Sequence, residues 1–208
     1  MLPTPTTTHV PFTHIYEPAE DSYLLLDTFS SSRVTTLFRS LFPVSSSPTS
    51  TTSSPSPLIL EIGTGSGVVL AFLTAHAEFI FGRSDVLAWG VDINEHACRA
   101  TGETVCVALR EAREAAAAAT ATAGGEGPEG KEGKWEGGGT YIGNSLGDLT
   151  SAVKTGSIDV LVFNPPYVPT PDVPHLQSGD GDKEPPSDRD VAHGAAAGGY
   201  SAGAERKG

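Results

Sequence analysis

The chain is short of positive charge. Its 208 residues carry 13 Lys+Arg against 25 Asp+Glu, a formal net charge of −12, and nowhere cluster lysine and arginine into a stripe. A phosphate backbone is held by such stripes, so nucleic-acid binding by this chain alone is disfavoured. Cysteine is scarce as well. Cys98 and Cys106 fall in one predicted helix, which rules out a disulfide framework and points to reduced thiols inside a cell. Neither they nor the six scattered histidines show metal-ligand spacing, so no metal is expected. Long apolar runs are missing, which excludes a membrane span. The opening "MLPTPTTTHVPF" lacks the basic start and apolar centre of a secretory signal. Together these absences predict a soluble protein of the cytoplasm, with the nucleus as a second compartment.

Apolar residues make up only 38%, while the 24 glycines and 16 prolines gather in patches. That pattern predicts one domain over 12–170, interrupted by flexible insertions at 43–57 ("PVSSSPTSTTSSPSP") and 123–139 ("AGGEGPEGKEGKWEGGG"), and a low-complexity tail over 171–208. Between the insertions, 17–42 places Leu24, Leu25, Phe29, Leu37, Phe38 and Leu41 near helical spacing. "PLILEIG" (57–63) reads as a buried strand, 67–82 as a helix and "VLAWGVDIN" (86–94) as a second strand. Asn94 is placed to cap a long helix that ends in alanines. "TYIGNSL" (140–146) is a weak strand, with Tyr141 as packing, and "SIDVLVFN" (157–164) a strong one. Strand–helix–strand alternation predicts an α/β fold: a Rossmann-like parallel sheet with helices on both faces.

Three features carry chemistry. Gly63, Gly65 and Gly67 in "LEIGTGSG" lie between a strand and a helix, where glycines permit a sharp turn and close approach of a ligand. A structural βα turn reads equally well from these glycines alone. Glu61 precedes them, and Asp92 ends the second strand in "GVDIN", where an acid takes ribose hydroxyls or merely caps a helix. Lastly, Asn164-Pro165-Pro166-Tyr167 stops the last strand dead. Two prolines remove two donors and fix two φ angles, so acceptors at this tip are held rigid, in a stiff loop or for catalysis.

As a set, these motifs resemble class I S-adenosylmethionine-dependent methyltransferases. With "YEPAEDSYLLLD" (16–27) they resemble more narrowly the HemK-like release-factor glutamine methyltransferases, in their eukaryotic and archaeal branch. The resemblance covers about 16–30, 58–73, 89–97 and 140–170 in order. It implies S-adenosylmethionine as cofactor, with Tyr16, Glu20 and Ser22 near its methionine end, and Glu61, Gly63 and Gly65 lining it. Asp92 would then hold the ribose, and Asn144, with Ser145 beside it, would take the adenine amino group, Asp148 being the competitor. Asn164, Pro165 and Tyr167 become catalytic, and with Pro166 they form the substrate contact: the Asn164 oxygen and the Pro165 carbonyl would accept the N–H groups of a planar amide. The resemblance further implies a class 1 translation release factor as substrate and a small zinc-binding activator subunit on the edge strand 140–146. An adenine-N6 nucleic-acid methyltransferase and a catalytically defective binding module remain as alternatives. Residues 171–208 hold too few large apolar side chains for further strands, so the sheet is expected to be incomplete after strand four, as in a C-terminally truncated chain.

Overall fold

The structure, a computed structural model, describes residues 2–44, 54–122 and 137–165, all within the compact unit Met1–Leu176. Most of both insertions, the expected tail, Pro166 and Tyr167 lie outside the described residues. The elements run α1 (Glu20–Ser30), α2 (Ser32–Leu41), β1 (Leu58–Ile62), α3 (Val68–Ala75), α4 (Ala77–Phe81), β2 (Leu87–Asp92), α5 (Glu95–Thr122), β3 (Thr140–Leu146) and β4 (Val160–Phe163). Among them no helix is long and apolar enough to cross a membrane.

The four strands form one parallel sheet in the order β3-β2-β1-β4. Alternation sorts β1 cleanly. Ile59 joins Ala88 and Val162 in a core with the fully buried Leu70, Phe72 and Leu73 of α3. Leu60 and Ile62 pack on the opposite face with Val91, Trp89, Val153 and Ile158. Every described helix that enters the main core does so on the first face; the second is covered by the turns of 147–159. This differs from the expectation of helices on both faces, and connection geometry explains it. Right-handed crossovers β1–α3–β2 and β2–α5–β3 step in one direction and put both helices on one side. The return from β3 to β4 steps the other way and crosses the second face, but without a helix. Leu161 and Phe163 of β4 are consequently half exposed there, at 57% and 48%.

Three expected elements are shorter or split. The 17–42 helix breaks at Ser31, whose hydroxyl accepts the Val34 N–H at 3.4 Å and starts α2 afresh. The 67–82 helix breaks at His76, which leaves helical geometry while its Nε2 meets the Pro3 carbonyl at 3.1 Å. Strand β4 begins only at Val160 because Ser157 closes a turn on Lys154 and the Asp159 carboxylate accepts the Leu58 N–H at 2.8 Å. Phe38 of α2 stacks on Phe81 of α4 with centroids 4.7 Å apart, so the split pieces still share one core. Tyr141 packs against that core as expected, and burial pushes its phenol up to about 12.

Candidate functional site

The carboxyl ends of β1, β2 and β4 meet at one edge, the place where ligands bind open parallel sheets. The chain leaves β1 through Gly63, Gly65 and Gly67, with φ of 67°, 52° and 79°. Two of these glycines serve different ends. A Cβ on Gly67 would lie 2.5 Å from the Thr101 Cα, so this residue lets α3 pack on α5. A Cβ on Gly65 would meet nothing within 4 Å, so the turn there opens on space that a ligand can enter.

Asp92 holds this turn. Its Oδ2 accepts the Gly65 N–H at 3.0 Å and its Oδ1 the Asn94 N–H at 2.9 Å. Asn94 caps α5 as expected, accepting the His96 N–H at 2.9 Å. Thr64 links the turn to α5, because Thr101 donates to its hydroxyl at 2.8 Å.

Beneath the turn Glu61 is 2% exposed. Loss of water raises its carboxyl to about 8; the Leu70 N–H opposes this in part, and the nearby Asp92 charge adds to it. Its Oε2 has no hydrogen-bond partner. Glu61 pairs with Gly90 and Gly90 with Asn144, so the three form one row across the sheet. Asn144 donates to the Cys98 carbonyl at 3.0 Å, while its own Oδ1 is buried without a donor. Glu61 Oε2 and Asn144 Oδ1 thus lack hydrogen-bond partners on either side of a residue without a side chain, and the raised pKa keeps the Glu61 carboxyl protonated at neutral pH.

Strand β4 delivers the other half. Ile62 pairs with Phe163, so Gly63 and Asn164 leave the sheet side by side. The Asn164 Nδ2 donates to the Asp21 carboxylate at 2.6 Å and approaches the Ser22 hydroxyl at 3.5 Å. The structure therefore brings together Glu61, Gly63, Gly65 and Asp92, and next to them Ser22, Asn164 and Pro165. Tyr16 and Glu20 are exposed at the start of the same N-terminal segment. Asn144 and Ser145 stand apart. Asn144 is turned under the helices, and Ser145 accepts the Trp89 indole N–H at 3.1 Å; Leu146, not Asn144, lies level with Asp92. Asp148 is exposed beyond the strand. Asp21 and Thr64 were missed by sequence reasoning. Asp21 could have been found: the inward stripe of Leu25, Leu26 and Phe29 runs back through positions 21 and 22 at helical spacing.

Sheet order, glycine turn and the acid that ends β2 define the Rossmann-like α/β fold of the class I methyltransferases. No family model matches the chain. It is 33% identical over 173 residues to Methyltransferase HEMK2 of Mus musculus, covering 82% of this chain and 58% of the relative. With Methyltransferase HEMK2 of Homo sapiens it shares 30% over 163 residues, 77% of this chain and 52% of the relative. With the eRF1 methyltransferase catalytic subunit mtq2 of Schizosaccharomyces pombe it shares 28% over 173 residues, 82% and 59%. The chain is homologous to the HemK-like methyltransferases, and it spans about half the length of these curated relatives.

The residues present fit S-adenosylmethionine. Gly65 offers an open approach, Asp92 a carboxylate bonded directly to that turn, and Glu61 a buried carboxyl oxygen without a partner. No phosphate-binding arginine or lysine is needed for such a ligand.

Proposed function

We propose that the chain is an S-adenosylmethionine-dependent methyltransferase that modifies a side-chain amide nitrogen, that of the glutamine in the Gly-Gly-Gln loop of a class 1 translation release factor. The observation that supports this reading is the shared exit of Gly63 and Asn164 from paired strands, which puts the glycine turn beside the Asn164 carboxamide. The cofactor supplies an electrophilic methyl on a sulfonium. Gly63, Gly65 and Asp92 bind it, with Glu61 beneath, and Tyr16, Glu20 and Ser22 close its methionine end. Asn144 or Ser145 at the adenine amino group would require the end of β3 to rearrange.

An amide nitrogen is a poor nucleophile because its lone pair is delocalised into the carbonyl. The Asn164 oxygen and the Pro165 carbonyl would accept its two N–H groups and aim it; as the N–C bond forms, the sulfonium S–C bond would break to leave a neutral thioether, and the nitrogen, made more acidic, would give up one N–H proton to water. In this reading a second proline after Pro165 would stiffen the acceptors, and Tyr167 would be a further substrate contact. A zinc-binding activator subunit pairs with β3, the outer strand of the described sheet, where Ile142 and Leu146 are 53% and 51% exposed. The enzyme works in the cytoplasm and the nucleus. The test is transfer of labelled methyl, with the activator present, to a purified release factor and to the same factor with that glutamine replaced. Label should enter only the intact factor.

A further inference from the structure

The N-terminal segment that precedes α1 is tied to both elements that shape the glycine turn. The first tie runs through Asn94. Its Nδ2 donates to the His14 carbonyl at 2.7 Å, its Oδ1 accepts the His96 N–H at 2.9 Å, and its own N–H goes to the Asp92 carboxylate at 2.9 Å. Only this orientation of the amide satisfies both ends, because a reversed one would set oxygen against the His14 carbonyl and NH2 against the His96 N–H. The second tie runs through Thr104, fully buried on α5. Its hydroxyl donates to the Ser66 carbonyl at 2.7 Å, between two glycines of the turn, and therefore accepts from His9 Nε2 at 3.0 Å. Between the two ties Val10 and Ile15 are buried against Ala100 of α5, and the His14 ring stacks on that of His96 with centroids 4.5 Å apart.

Beyond His14 the chain crosses the carboxyl edge of the sheet. It starts from Asn94, just past the end of β2, and arrives at the tip of β4, where the Asp21 carboxylate meets the Asn164 amide. Strand β1 lies between those two strands. Residues 15–20 therefore pass the end of β1, where the glycine turn opens.

We propose that residues 9–20 form a strap whose seating on α5 is coupled to the glycine turn, and so to the ligand that the turn holds, with Asn94 as the coupling residue. This rests on the reading of Gly65 and Asp92 given above as the cofactor site. Asn94 grips His14 by its side chain and Asp92 by its backbone, so a seated strap and a formed acid–turn contact favour each other. Thr104 joins His9 to Ser66 in the same sense. The strap is lightly held, with Thr13, His14, Tyr16 and Glu17 all exposed. A segment of that kind opens locally without unfolding the sheet. A ligand bound beneath it favours the seated state, and by linkage the seated strap favours the ligand by the same factor.

The test uses the full chain with S-adenosylmethionine as the probe. Asn94→Ser keeps a cap on α5 but is too short to reach His14, so the melting temperature should barely move. Hydrogen exchange of the backbone amides between Val10 and Tyr16 should quicken. The cofactor should dissociate several-fold faster, and its Kd should weaken by about threefold or more. In the wild-type chain, saturating cofactor should slow exchange over the same residues. Thr13→Ala, at an exposed position of the segment, should change none of this. Unchanged exchange and dissociation in Asn94→Ser, a loss in step with a lower melting temperature, or strap exchange indifferent to cofactor overturns the proposal. A second readout needs no ligand. The Gly65 N–H, which Asp92 holds, should exchange faster in Asn94→Ser and in His9→Ala than in the wild type. If the wild-type chain binds no S-adenosylmethionine, the function proposed above fails and the Gly65 N–H decides: a response to both substitutions sustains the coupling of strap and turn, and indifference overturns it as well.

Discussion

The Asp92 carboxylate accepts the Gly65 N–H at 3.0 Å, so the acid at the end of β2 shapes the glycine turn that follows β1. A ribose acid that only contacted ligand could be removed without cost to the free protein. Asp92→Ala should instead destabilise the chain by about 1–3 kcal/mol, because the Gly65 and Asn94 N–H groups lose their acceptor. It should also weaken S-adenosylmethionine by about tenfold or more. Denaturant titration and calorimetry separate the two effects.

Gly65 and Gly67 should part company on substitution. Gly67→Ala drives a methyl to 2.5 Å from the Thr101 Cα at φ +79°, which should cost about 2–4 kcal/mol through overpacking and left-handed strain. Gly65→Ala meets open space at φ +52° and should cost only about 1 kcal/mol, the strain alone. Its methyl projects into the proposed ligand space, so cofactor affinity should fall further than stability does.

Glu61 gives the chain a pH signature. In the unfolded chain its carboxyl ionises near 4.5, but in the folded protein it keeps its proton to about 8. Between these values the folded state binds more protons, so stability falls as pH rises across the window and levels off above about 8, a loss on the order of a few kcal/mol. Glu61→Gln should flatten that slope in thermal melts from pH 5 to 8. Cofactor binding that draws on the ionised carboxylate should release a proton below pH 8, visible as buffer-dependent calorimetric heats.

Asn164→Ala should lower kcat by about a hundredfold or more and leave cofactor Kd within twofold, as expected of a group strongest in the transition state. Single-turnover kinetics would check this without interference from product release.

Much of this architecture was legible because it follows from local rules. Glycines between a strand and a helix had to be a tight turn, Asn94 had to cap α5, and the prolines had to end β4. The breaks at Ser31 and His76 escaped notice because apolar spacing continues across them, and the interruptions come from a hydroxyl cap and a contact with Pro3. The candidate site was legible only in halves. Asp92 and Asn164 announce themselves by position on their strands, but the partner of each is distant in sequence and chosen by topology. Asn144 was placed at the adenine amino group by the resemblance alone; the register sets it beside Gly90, two residues short of the tip, where its amide donates to the Cys98 carbonyl.

The central claim is that this sheet edge aims the nitrogen of a side-chain amide at a methyl donor, and tandem mass spectrometry of the methylated product tests it most directly. After incubation with isotopically labelled S-adenosylmethionine, the activator and a class 1 release factor, the label should sit on the amide nitrogen of the Gly-Gly-Gln glutamine and be absent with Asn164→Ala. Label on a lysine, on an adenine in added nucleic acid, or undiminished in Asn164→Ala would contradict the account.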